Sequence, residues 1–187
     1  MDNEILDRYN KDNNGNYFID IVVDKPEDIF TEYDGVIAWN RKDLDDDFDH
    51  YLMECAEELD GHSWFIRLNM YTAPDEALEK KILFAIHNFY KYKHRNTSKT
   101  FYSMLYKTIW SALGGLGILT VLTVWSDSIE AWGKAGEVIK EGLDVAIWVT
   151  MWHAIADVLY EIHPTLHRRK YCQQASTTRI IFRYPLA

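Results

Sequence analysis

Two cysteines in 187 residues, Cys55 and Cys172, leave no material for a disulfide framework. Proline is scarce too, with four in the chain. Neither proline nor glycine occurs from Asp75 to Leu113, so nothing there forbids a continuous helix. Acids are missing from Lys91 to Lys107 and again from His163 to the last residue, and charge of either sign is missing from Thr108 to Ser126. There is no Gly-rich phosphate loop, nucleophile elbow, CxxC pair or HExxH helix, and no internal repeat. No cluster in the polar part resembles an active site, so the sequence is read as a non-enzyme with no cofactor and no metal. The opening MDNEILDRYN is acidic and polar, unlike a signal peptide, so the first hydrophobic span is expected to act as an uncleaved anchor.

The uncharged stretch, TIWSALGGLGILTVLTVWS, holds nineteen residues between Lys107 and Asp127. At helical rise it extends roughly 28 Å, close to the hydrocarbon thickness of a bilayer. Trp110 and Trp125 lie near its ends, where indoles favour the interface, and Gly114, Gly115 and Gly117 are better tolerated in membrane helices than in water. The flanks set the direction. Residues 1–90 carry 22 acids against 8 Lys and Arg; Lys91–Lys107 carry five basic residues, and the tail after His163 carries five more. Between the basic flanks, Asp127–Asp144 hold five acids and two lysines. This order predicts a two-span hairpin in the cell inner membrane with both chain ends cytoplasmic. So acidic a first domain excludes nucleic acid as a partner, whereas the basic segments suit a lipid bilayer.

Before the span the pattern is α/β. Tyr17–Val23 alternates with Ile19, Ile21 and Val23 on one face and reads as a strand. Lys25–Phe30 resembles one helical turn and Gly35–Trp39 a short strand. From about Asp43 to Leu59, Leu44, Phe48, Tyr51, Leu52, Cys55 and Leu59 form a helical stripe, with Asp43 placed to cap it. Ser63–Tyr71 alternates and reads as a central strand. Pro74-Asp75-Glu76 opens a second helix, with Leu78, Ile82, Ala85, Ile86 and Phe89 inward, which either runs on into the span or breaks near Asn96-Thr97-Ser98. Asn10, Asp12, Asn14 and Gly15 match the start of a calcium loop, but Ile21 stands where a bidentate Glu is needed, so a plain turn is expected. Asp43, Asp45, Asp47 and Glu54 match in part, but Phe48 replaces the required glycine and a helix is expected.

Ser128–Leu143 suits an interfacial helix or an extension of the spans. The second span is read as residues 143–162, ended by Pro164. Within it His153, Asp157 and Glu161 recur every four residues on one face. This intramembrane polar set has three readings: a self-neutralising structural pair, which is preferred, a proton or ion path, or, with His163 and His167, a metal site. Ser111, Gly114, Gly115 and Gly117 are assigned to close helix packing, with Ser111 and Gly115 as a small-xxx-small pair. Arg168, Arg169 and Lys170 are assigned to lipid headgroups. Thr178–Tyr184, TRIIFRY, reads as a strand returning to the N-terminal sheet.

The expected fold class is α+β: a small cytoplasmic mixed sheet with two helices, a two-helix transmembrane hairpin and a C-terminal strand rejoining the sheet. The segments are a polar start (1–16), a cytoplasmic α/β domain with helical connector (17–107), the hairpin (108–162, spans 108–126 and 143–162) and a basic tail (163–187). Several short motifs share an order: Ile19-Asp20-Ile21, Pro26-Glu27-Asp28-Ile29-Phe30, Asp43-Leu44-Asp45, Ile66-Arg67-Leu68, Trp148-Val149-Thr150-Met151-Trp152, Leu159-Tyr160-Glu161 and Pro164. In this order the chain resembles an uncharacterised bacterial family of small two-span membrane proteins with a cytoplasmic α/β domain. In that family a basic residue follows the second tryptophan and an acid comes about one turn later; His153 and Asp157 stand nearest those places. The resemblance implies architecture and no chemistry. The functional expectation is a membrane-anchored, self-associating binding or scaffolding protein, a homo-oligomer open to a further protein partner. The alternative is an oligomeric proton or ion pathway along the polar face of the second span.

Overall fold

Tyr17, Ile19, Ile21 and Val23 are buried while Phe18, Asp20 and Val22 point to the opposite face, so the period-two run forms strand β2 (Tyr17–Val23). The computed structural model describes residues 3–34 and 37–184. Strand β3 (Trp64–Met70) lies parallel to β2, with Tyr17 opposite Trp64 and Val23 opposite Met70. Strand β4 (Ile180–Arg183) lies parallel on the far side of β3, Ile180 opposite Ile66 and Phe182 opposite Leu68. A two-residue strand β1 (Asn10–Lys11) runs antiparallel to β2 and completes a mixed sheet of order β1-β2-β3-β4. β3 is therefore central, and the C-terminal strand returns to the sheet.

Parallel neighbours need crossovers. A four-residue helix α1 (Asn3–Leu6) precedes β1, and between β2 and β3 the crossover holds helix α2 (Asp46–Glu58). Between β3 and β4 it holds three helices: α3 (Glu76–Glu130), α4 (Lys134–Asp157) and α5 (His163–Ala175). The chain divides into two compact units, one built from residues up to Asn96 and from His167 onward, the other Thr97–Leu166. The second unit is thus inserted in the chain between β3 and β4 of the first.

In the first unit the buried sheet face packs on Phe48, Leu52, Cys55 and Ala56 of α2, Ile82, Ala85, Ile86 and Tyr90 of α3, and Tyr171, Cys172 and Ala175 of α5. Where the sequence pattern yielded two helices for the sheet, there are three. Three apolar residues in a basic tail are too few to show a helical period, yet they cover the sheet beside β4. Asp45, and not Asp43, caps α2, accepting from the backbone N–H groups of Asp47 and Phe48 at 3.0 and 3.3 Å. Leu44 instead joins Phe30 in an antiparallel bridge. Of the strand expected at Gly35–Trp39, Gly35 and Val36 lie outside the described residues, and Trp39–Arg41 is a 3-10 turn. Asp12 makes a tight turn: its Oδ1 accepts from the N–H groups of Asn14 and Asn16, both at 2.8 Å, and Gly15 supplies φ +83°.

In the second unit α3 passes Asn96–Ser98 without a break and bends only at Trp125, whose φ, ψ of −108°, 16° leave the helical region. The stretch Ser128–Leu143 extends both helices and is interrupted by one short turn, Ala131–Gly133. Gly133 turns the chain with φ +63°, and a Cβ on Gly136 would lie 1.9 Å from the Ile129 carbonyl oxygen. Two glycines therefore set the hairpin, one for conformation and one for close approach. Pro164 does not end the helix. Val158–Ile162 widen into a π-turn in which the His163 N–H reaches back to Val158 O. Pro164 follows directly after this π-turn, as the second residue of α5, and the helix runs on through it.

Two helices are long and apolar enough to cross a membrane, with mean hydropathy 1.6 and 1.3 in their most apolar windows. Only 17% and 6% of those windows are buried; Leu113, Leu116, Leu119, Val145, Trp148 and Val149 all point outward. The core helix of a water-soluble protein buries such residues.

Candidate functional site

The seam of the hairpin has a spacing of seven. Along α3, Thr108, Gly115, Leu122 and Ile129 are buried. Their register partners on α4 are Asp157, Thr150, Leu143 and Gly136. Three of these pairings are direct: Thr108 Oγ1 donates to Asp157 Oδ2 at 3.0 Å, a Cβ on Gly115 would sit 3.4 Å from Thr150 Cγ2, and Gly136 abuts Ile129. Each pair is equidistant from the turn at Trp132-Gly133. A repeat of seven keeps one face of each helix on the other, and small residues allow close approach. This register puts residues 139–157 opposite Thr108–Ser126.

The polar set is divided by this geometry. His153 Nε2 lies 3.8 Å from Asp157 Oδ1, so these two residues are brought together. The Asp157 side chain keeps 26% of its exposure and His153 keeps 69%. Thr108 is the partner that sequence reasoning missed; its signal was the heptad spacing, which a search for four-residue intervals passes over. Glu161 is exposed and lies within the π-turn. A groove of about 570 Å³ opens beside the pair, lined by Ser111, Trp148, Thr150, Trp152, His153 and Ala156 among others. Of the packing residues, Gly115 is used inside the hairpin and Ser111 lines this groove, whereas nothing approaches within 4 Å of a Cβ placed on Gly114 or Gly117.

In the first unit several charged side chains are paired with one another. On the sheet face away from the helices, Arg67 donates two hydrogen bonds to the Asp20 carboxylate, and Asn69 and Asn10 donate at 3.1 and 3.0 Å. The Arg67 guanidinium also stacks 4.5 Å from the centre of the Phe18 ring. Burial alone would raise the Asp20 pKa, but the bonds from Arg67, Asn69 and Asn10 outweigh it and hold the carboxyl below its ordinary value. Asp49 accepts from Lys93 and, at 3.1 Å, from the buried Tyr90 hydroxyl. Burial and the adjoining Asp49 charge push the Tyr90 phenol well up.

A cleft near β2 is lined by Arg8, Tyr9, Phe18, Asp20, Tyr51, Glu54, Cys55 and Glu58. Its volume, about 190 Å³, is below the usual range of ligand pockets. Burial raises the Cys55 pKa against the lowering influence of the neighbouring Tyr9 and Tyr51 hydroxyls, so the thiol stays protonated and unreactive at neutral pH. Tyr9 instead donates to Glu58 at 2.6 Å and closes the cleft.

Of the three tail residues assigned to headgroups, Lys170 pairs with Asp60 at 2.6 Å. The Arg169 carbonyl lies 3.1 Å from His94 Nδ1, and Arg168 is exposed. The Lys170 hydrogen bond and charge, with His167 3.8 Å away, hold the Asp60 carboxyl below its ordinary value. Among the described residues no group of three or more His, Cys, Asp or Glu could hold a metal ion. No family model matches the chain, and neither a curated protein nor a solved structure is significantly similar to it.

Proposed function

We propose that the chain is a membrane-anchored binding or scaffolding module: a two-span hairpin that holds an acidic α/β domain at the cytoplasmic face of the inner membrane. The observation that carries this reading is the outward direction of the apolar residues on two helices long enough to span. The basic–acidic–basic charge order supports placing both chain ends in the cytoplasm, in keeping with the bacterial two-span family that the motifs resemble. Gly114 and Gly117 leave one face of α3 uncovered, which supports self-association through that face, while Gly115 is occupied within the hairpin.

Conduction has less support. Asp157 is anchored by Thr108 at the end of the seam. The test of the main reading uses single cysteines in a background with Cys55 and Cys172 replaced. In intact cells Ser98→Cys and Ser176→Cys are expected to resist an impermeant thiol reagent and Ser128→Cys to react. Labelling at residue 98 but not at 128 reverses the topology. Extraction of the protein by alkaline carbonate rejects the anchor altogether. Cross-linking that recovers only monomer without a bound protein rejects the scaffolding role.

A further inference from the structure

The side of α3 that meets α4 is marked by Thr108. At about 100° per residue, Lys99, Tyr102, Tyr106 and Trp110 fall within an arc of about 80° on roughly the opposite side. All four are exposed, the three aromatics by 57, 64 and 57%. Tyr106 and Trp110 meet edge to face with ring centres 5.9 Å apart, and the exposed Lys107 borders the arc. Three large rings turned outward on one stripe are unfavourable in bulk water but suit the headgroup layer, where an amphipathic ring has an apolar body and a wet edge.

We propose that this stripe is a binding face for anionic phospholipid headgroups. The rings would lie at headgroup level, and the Lys99 and Lys107 ammoniums would meet phosphate. The inference rests on the reading that α3 crosses the membrane, and it adds which lipid the crossing selects. Charge complementarity chooses the occupant. From Lys91 to Lys107 the chain has no acid, so the stripe presents positive charge only. A second copy meeting the same stripe would set lysine against lysine.

The test reconstitutes the full-length protein in vesicles of phosphatidylcholine mixed with equal parts of phosphatidylglycerol. Spin-labelled analogues of each lipid then report which one is held at the protein surface. The native protein is expected to retain phosphatidylglycerol in preference to phosphatidylcholine. Lys99→Gln with Lys107→Gln should reduce that preference by up to about fivefold per lysine at low salt, and high salt should reduce it in the native protein as well. Both lysines are exposed, so these changes leave the fold intact. A preference that survives Lys99→Gln/Lys107→Gln but disappears in Arg168→Gln/Arg169→Gln assigns the lipid to the tail and overturns the proposal. Equal retention of both lipids by the native protein also overturns it while leaving the membrane anchor standing. No motionally restricted lipid of either kind rejects the anchor, and the proposal with it.

Discussion

Thr108 and Asp157 face each other across the hairpin, the hydroxyl donating to the carboxylate at 3.0 Å. A carboxylate in an otherwise apolar seam is costly without a donor, and here one helix supplies the acid and the other the donor. Asp157→Asn is therefore expected to change stability little, because the amide oxygen still accepts from Thr108. Thr108→Val should cost about 1 kcal/mol, measured by unfolding in mixed micelles. Asp157→Ala should be worse than Asp157→Leu combined with His153→Leu, which removes both polar partners. Proton flux in liposomes that is present in the native protein and lost in Asp157→Asn would establish conduction and reject this structural role.

Gly136 offers the sharpest steric test. Its Cβ would fall 1.9 Å from the Ile129 carbonyl oxygen, so Gly136→Ala must open the turn, whereas Gly114→Ala meets nothing within 4 Å. Gly136→Ala is expected to lower hairpin stability by at least about 1–3 kcal/mol and Gly114→Ala to be neutral or slightly stabilising through helix propensity. Equal thermal midpoints for the two variants would contradict the observed turn.

The returning strand carries part of the core of the first unit. Ile180 is 8% exposed and lies opposite Ile66. Ile180→Ala should cost about 2–5 kcal/mol, and truncation after Gln174 should expose Ile66 and Leu68 along the β3 edge and destabilise the unit. Calorimetry that finds the first unit melting unchanged in the truncated chain would show that β4 is dispensable.

The Asp20–Arg67 pair gives stability a definite pH dependence. The Asp20 carboxyl titrates below its ordinary value of 3.8 in the folded chain. A depressed folded pKa binds fewer protons than the unfolded state, so its contribution is complete above the ordinary value and is lost as pH falls through the folded one. Urea midpoints should thus fall more steeply below about pH 4 in the native protein than in Asp20→Asn. Identical acid limbs in the two proteins would show that Asp20 contributes nothing. At neutral pH Arg67→Gln should weaken the unit.

Much of this architecture was open to sequence reasoning, for local reasons. Ile19, Ile21 and Val23 alternate, as do Trp64, Ile66, Leu68 and Met70, and a period of two allows only one face to be buried. The helix at α2 follows from Phe48, Leu52 and Cys55, although its cap moved from Asp43 to Asp45 because Leu44 is claimed by a bridge to Phe30. The return of β4 was legible because an apolar strand needs a neighbour and the N-terminal sheet offered one. The pairing of His153 with Asp157 was legible because residues four apart share a helix face. Thr108 was not legible in the same way, since its partner lies 49 residues away and only the position of the turn brings them level.

What the sequence by itself determined is the set of elements and their chemistry: two strands of alternating pattern, an amphipathic helix between them, and apolar stretches with no buried counterpart large enough to cover them. These depend on near neighbours, so spacing is sufficient. What only the tertiary structure decided is register and continuity. Gly133 and Gly136 place the turn, and the turn sets Asp157 against Thr108. A π-turn before Pro164 lets the chain continue into α5, which brings Tyr171 and Cys172 onto the sheet. Backbone approach and hydrogen-bond register between distant segments have no local signature, because they depend on which residues meet and not on which residues follow one another.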